Sequence, residues 1–94
     1  MDMENKVRQI RELVEAKREK FARVSDEVWA VPELYFHETK SAAILIKALK
    51  EEGFEVQEGV DGIPTAFIGT WGSGKPVIGI LGEFDALPSL SQEA

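Results

Sequence analysis

Cysteine is absent from this chain, which excludes every disulfide and every thiolate metal site. Histidine occurs once, at His37. A zinc centre built on imidazole nitrogens needs several, so one histidine among scattered acids does not make one. Long hydrophobic runs are also missing. The longest, Val77–Leu81, is far too short to span a bilayer, and the first apolar residues are spaced among charges rather than gathered into a signal-peptide core. These absences lead us to expect a cytoplasmic protein without a membrane partner. Basic residues are scarce in the second half: residues 51–94 hold one lysine against eight acids, whereas residues 1–50 hold ten basic and nine acidic side chains, for a net charge of −6. Phosphate recognition needs clustered positive charge, so nucleic acid is excluded as a partner and an anionic membrane surface is disfavoured.

What remains is an ordinary globular composition, 44% hydrophobic and 30% charged. Ninety-four residues suffice for one small domain with a thin core. Val7, Ile10, Val14, Phe21, Val24 and Val28 recur at helical spacing, with Lys17 the single gap in the stripe. The pattern predicts a helix from about Met3 to Trp29, with an interruption at Ser25 allowed, ended by Pro32. An unbroken helix of that length would run about 40 Å, about as wide as a whole domain of this size, and would suit lying along a larger body. A second helix is expected from about Thr39 to Glu52. Thr39 or Ser41 would cap its start, Gly53 would end it, and Ala42, Leu45, Ile46 and Leu49 would form its buried face.

The period then changes. Phe54 and Val56 alternate with Glu55 and Gln57, as in a half-exposed strand; Gly59–Pro64 reads as a loop, Thr65–Trp71 as a second strand, Gly72–Lys75 as a turn and Pro76–Leu81 as a third strand. The second and third strands are expected to form an antiparallel hairpin. The third is apolar on both faces, which suits the middle of a sheet covered on both sides. The order is thus α-α-β-β-β, an α/β segment that asks for more sheet and more helix than 94 residues contain.

Chemistry concentrates in Gly82-Glu83-Phe84-Asp85-Ala86-Leu87-Pro88. Strand alternation puts Glu83 and Asp85 on one face, at the carboxyl end of a buried strand, where α/β sheets gather ligands. Carboxylates placed there can hold a hard metal, orient a ligand or move a proton, although two acids at a strand end often do no more than mark its exit to solvent. Gly69–Lys75 has the spacing of a phosphate-binding loop, but Pro76 stands where Ser or Thr should hold magnesium and a strand is expected where a helix should begin, so a turn is the better reading. Trp29, Tyr35, Phe36 and Trp71 read as core or rim packing, since no basic groove accompanies them.

Pro32-Glu33-Leu34, then Glu38, then a helix ending at Gly53-Phe54, resembles the opening of the zinc- or manganese-dependent aminoacylases, carboxypeptidases and amidohydrolases, the family that includes hippurate hydrolase. Gly62–Phe67, Gly72–Pro88 and Leu90–Gln92 narrow the resemblance to its p-aminobenzoyl-glutamate hydrolase branch, over roughly residues 25–94. The resemblance implies a zinc-peptidase-like catalytic domain with a mixed sheet, an inserted dimerisation domain and therefore a homo-oligomer. It also implies hydrolysis of an amide in N-acyl amino acids or p-aminobenzoyl-glutamate-like substrates, by metal-activated water and a carboxylate base. Peptidase members carry His-x-Asp at the strand end, where the histidine binds metal and the aspartate orients it. Here Glu83 takes the histidine position and Asp85 keeps its type. Asp85 is therefore the position carried over, as a residue that orients a metal ligand or lines the active-site wall, with Glu83 behind it. The family's later metal-ligand segment and general-base glutamate have no counterpart in these 94 residues. The chain is therefore expected to be the amino-terminal segment of a catalytic domain, without the rest of that domain or the dimerisation domain. Alone, it is expected to bind no metal and show no activity. The alternative is a small self-standing α+β protein-interaction module without catalysis.

Overall fold

The computed structural model describes residues 2–90. Its amino-terminal half is helical: α1 spans Met3–Ala16 and α2 spans Arg18–Trp29. The Asp2 carboxylate caps α1 by accepting from the Asn5 N–H at 2.8 Å. The single long helix read from the periodicity is instead two, and they part at Lys17 rather than at Ser25. Lys17 leaves helical geometry (φ −107°, ψ 5°), and its ammonium lies 2.5 Å from the Glu52 carboxylate just past α3, the helix spanning Thr39–Glu51. The gap in the apolar stripe is therefore an ion-pairing position, and the break lets α2 pack on α3. Lys20 joins from the next turn, 2.7 Å from the other Glu52 oxygen. Two ammonium groups at the carboxyl end of a helix also sit favourably in its dipole.

The boundaries of α3 follow from local chemistry. Its end is a Schellman motif: the Phe54 N–H donates to the Leu49 carbonyl and the Gly53 N–H to the Lys50 carbonyl, each at 3.1 Å, with Gly53 at φ +89°. Its face toward the body carries buried Ser41, Ala42 and Ala48, while Leu45, Ile46 and Leu49 are half-buried. Against it lies a two-stranded antiparallel sheet of β1 (Glu55–Glu58) and β2 (Phe67–Thr70), in register Glu55↔Thr70 to Glu58↔Phe67. Phe54 and Val56 turn inward on the expected alternation.

The mixed α/β character stands, but the strand pairing differs from that read in the sequence. The second strand pairs with the first, and Pro76–Leu81, expected as a third strand, is irregular and pairs with nothing described. Val77, Ile78, Ile80 and Leu81 remain 81–94% exposed. The physical reason is the two-faced apolar pattern itself. A strand greasy on both sides gains most when both sides are covered, and α3 covers only one face of this sheet.

The consequence is a very small core. Ala42 and Ala48 are the only buried hydrophobic residues among those described. The chain presents 8329 Å² of accessible surface, about half as much again as the roughly 5,400 Å² of a compact protein of its mass. Its radius of gyration, 15.9 Å, exceeds the roughly 12 Å of a compact chain this long. Met3, Val7, Ile10 and Val14 of α1 form an apolar stripe that no described element covers.

Candidate functional site

The segment Gly82–Pro88 is held to the body at two points. The Ala86 N–H donates to the Glu33 carbonyl at 2.7 Å, and the Phe84 ring packs on Phe67 of β2 with centroids 5.7 Å apart. Phe84 and Ala86 are accordingly half-buried, while Glu83 and Asp85 are exposed. Alternation therefore does place the two carboxylates on one face, the outward one. Among the described residues neither carboxylate is hydrogen-bonded or ion-paired.

Behind this segment lies the start of α3, organised by Glu33. One carboxylate oxygen of Glu33 accepts from the Ser41 N–H at 2.7 Å; the other accepts from the Lys40 N–H at 3.1 Å and the Thr39 hydroxyl at 3.4 Å. The two N–H groups are free amides of the first helical turn. The cap expected from Thr39 or Ser41 is thus supplied from the preceding loop, and the Ser41 hydroxyl donates instead to the Val31 carbonyl at 3.5 Å. The Ser41 N–H above all holds the Glu33 carboxyl below the ordinary 4.5, partly opposed by desolvation. The loop turns at Phe36 (φ +61°), with the His37 N–H bonded to the Leu34 carbonyl at 2.9 Å. His37 is thus a loop residue with a local main-chain hydrogen bond.

Glu38 is the position that motif reading passed over as chemistry. It stands at the N-cap of α3, 8% exposed, with one carboxylate oxygen lacking a partner among the described residues. A buried unpaired oxygen is costly. The sequence signal was an acid set directly against the start of an apolar helix.

The other candidates resolve simply. Among the described residues no helix follows Lys75, so the glycine-rich stretch does not open onto the helix amino terminus that a phosphate loop requires. Trp29, Tyr35, Phe36 and Trp71 are all exposed, which corrects the core half of the packing reading. Among the described residues no three His, Cys, Asp or Glu side chains converge to hold a metal ion, so the residues present do not fit a zinc or manganese centre. No helix is long and apolar enough to cross a membrane among the described residues.

The Glu52 carboxyl is likewise held below the ordinary 4.5, first by its hydrogen bond from Lys17 and then by that from Lys20. Both shifts, at Glu33 and Glu52, are depressions of carboxyl groups. The stability they lend is therefore present above the unfolded pKa and is lost as pH falls through the lower folded values. The urea midpoint is expected to be flat above roughly pH 5 and to fall below the ordinary carboxyl pKa. Glu52→Gln should lower the midpoint at neutral pH and flatten the acid limb. A parent midpoint that does not change down to pH 3 would contradict both contributions.

No protein-family model matches the chain. Its similarity is to a hydrolase, and it runs from end to end rather than over the motif-bearing part alone. Over 92 residues, 98% of its length, the chain is 46% identical to the B subunit of p-aminobenzoyl-glutamate hydrolase from Escherichia coli (strain K12). It spans 19% of the length of that protein. The resemblance read from the motifs over residues 25–94 thus extends through α1 and α2 as well.

Proposed function

We propose that this chain forms the amino-terminal segment of the catalytic domain of an amidohydrolase like the E. coli p-aminobenzoyl-glutamate hydrolase. The whole protein would have a zinc-peptidase-like fold and cleave the amide bond of an N-acyl amino acid or a p-aminobenzoyl-glutamate-like substrate in the cytoplasm. The observation that carries this reading is 46% identity sustained over 98% of the chain. The surface supports it. Val77–Leu81 and the α1 stripe are apolar and bare, as expected of elements whose covering sheet and helices lie elsewhere in a longer polypeptide. The same bareness weighs against a self-standing module.

In this reading Asp85 stands on the wall of the catalytic cleft and Glu83 beside it. Zinc or manganese would take its ligands from outside the described residues, as would the general base. The 94 residues alone would then show no metal-dependent hydrolysis. Dimerisation would rest on the part of the protein beyond this segment.

A chimaera tests the proposal. The matched stretch of the E. coli protein is replaced by this chain, and hydrolysis of p-aminobenzoyl-glutamate is assayed beside the 94-residue chain alone. Activity in the chimaera within about tenfold of the parent enzyme, a loss of no more than about 1.4 kcal/mol of transition-state stabilisation, is the expected outcome. A folded chimaera without activity, or robust cleavage by the 94-residue chain, would sink it.

A further inference from the structure

Glu33 is bonded at both ends. Its side chain holds the first turn of α3 through the Ser41 and Lys40 N–H groups and the Thr39 hydroxyl. Its main-chain carbonyl holds the Ala86 N–H at 2.7 Å, one residue beyond Asp85. The carboxylate anchors reach six to eight residues forward in the chain, and the carbonyl anchor reaches 53 residues forward. Beside this bond, the Phe84 ring packs on Phe67 of β2. We infer that Glu33 is the positioning residue for Asp85: by locking its own peptide against α3, it sets where the Gly82–Pro88 segment lies relative to that helix.

The physical basis is rigidity at the shared residue. A carboxylate accepting from two main-chain amides and a hydroxyl is fixed in orientation, and charge-assisted bonds of this kind are the strong ones. Fixing the side chain fixes the Cα and limits the swing of the adjoining carbonyl. That carbonyl is the acceptor for Ala86. Without the carboxylate anchor, the Pro32–Leu34 loop is free to rotate its peptides and the Ala86 bond loses its fixed acceptor. The geometry at Glu33 thus reaches Asp85 without any contact between the two side chains. Only the catalytic setting of Asp85 rests on the proposed function; the mechanical link stands or falls on its own.

Amide hydrogen exchange in the 94-residue chain tests it, with protection at Ala86 read relative to Ala48, a buried residue in the last turn of α3. Glu33→Ala should lower the Ala86:Ala48 ratio by about tenfold, the loss of one charge-assisted bond, and lower protection at Lys40 and Ser41 with it. Glu33→Gln keeps an oxygen acceptor and should restore the ratio to within about threefold. Gly53→Ala weakens α3 from its far end and should lower protection generally while leaving the ratio unchanged. A merely structural role for Glu33 would behave like Gly53→Ala.

An unchanged ratio in Glu33→Ala, with Lys40 and Ser41 deprotected, overturns the inference and leaves Glu33 as a helix cap. If Glu33→Ala does not fold, Glu33→Asp decides, because the shorter side chain pulls the carboxylate back from Ser41. A lowered ratio then supports the link, and an unchanged ratio beside a deprotected Ser41 overturns it. Failure of the functional reading looks different: Ala86 responds to Glu33 while the chimaera carrying Asp85→Asn keeps full activity.

Discussion

Asp85→Asn in the active chimaera should lower kcat/KM for p-aminobenzoyl-glutamate by about 10–100-fold, the usual loss when a residue that orients its neighbours is changed. Asparagine keeps the size and shape of the side chain and removes only its charge and part of its acceptor capacity. Asp85 is exposed and forms no hydrogen bond or ion pair among the described residues, so the substitution should not unsettle this part of the fold. In the 94-residue chain the urea midpoint should stay where it is, within roughly 0.5 kcal/mol of stability. A fall in activity with no fall in stability separates a chemical role from a structural one. Glu83→Gln, on the same outward face, should cost less than about tenfold, because in the proposed function Asp85 is the residue that orients its neighbours and Glu83 only stands beside it. Unchanged kinetics in Asp85→Asn would remove the acidic pair from the site.

Gly69→Val should unfold the β1–β2 sheet from α3. Gly69 lies on the inward face of β2, against Leu49 of α3. A Cβ placed there would stand 3.0 Å from one Leu49 methyl carbon and 3.5 Å from both the other and a Phe54 ring carbon. Its φ is not positive, so the penalty comes from space and not from backbone strain. One methyl could be absorbed if Leu49 shifts by a few tenths of an ångström; the two further carbons of valine have no room beside Phe54. Overpacking of this kind costs about 1–3 kcal/mol. Where the buried hydrophobic residues among those described are two alanines, that cost is a large share of what holds the fold. The matched control is Gly79→Val, where nothing lies within 4 Å of the added carbon and φ is again not positive; its effect should stay within about 0.5 kcal/mol. Urea unfolding followed by circular dichroism compares the two. Equal stability of both variants would mean that α3 does not pack closely on β2.

Much of the fold was legible where the governing interactions are local. The span of α3 was readable from its period and from Gly53, because a Schellman end needs only neighbours in sequence. The inward turn of Phe54 and Val56 was readable from alternation, and so was the shared face of Glu83 and Asp85. Lys17 was visible only as a gap in the stripe. Its meaning, an ion pair with Glu52, depends on a residue 35 positions away that no local pattern identifies. Glu33 shows the same limit. Its motif was readable, but its role as the cap of α3 required a loop that doubles back at Phe36. Glu38 was marked in the sequence only by its place against the start of an apolar helix, and its burial depends on what packs above it.

The amino-acid order by itself determined where α3 runs, where β1 and β2 lie and which of their faces turn inward, since each is settled by the backbone and by residues within about a turn or a pleat. Tertiary structure alone decided that β2 pairs with β1, that the long amino-terminal helix breaks at Lys17, and that the most apolar segment stays uncovered. Strand partners and helix contacts are chosen by the apolar area each arrangement removes from water. That choice depends on how much covering surface is at hand, which periodicity does not encode.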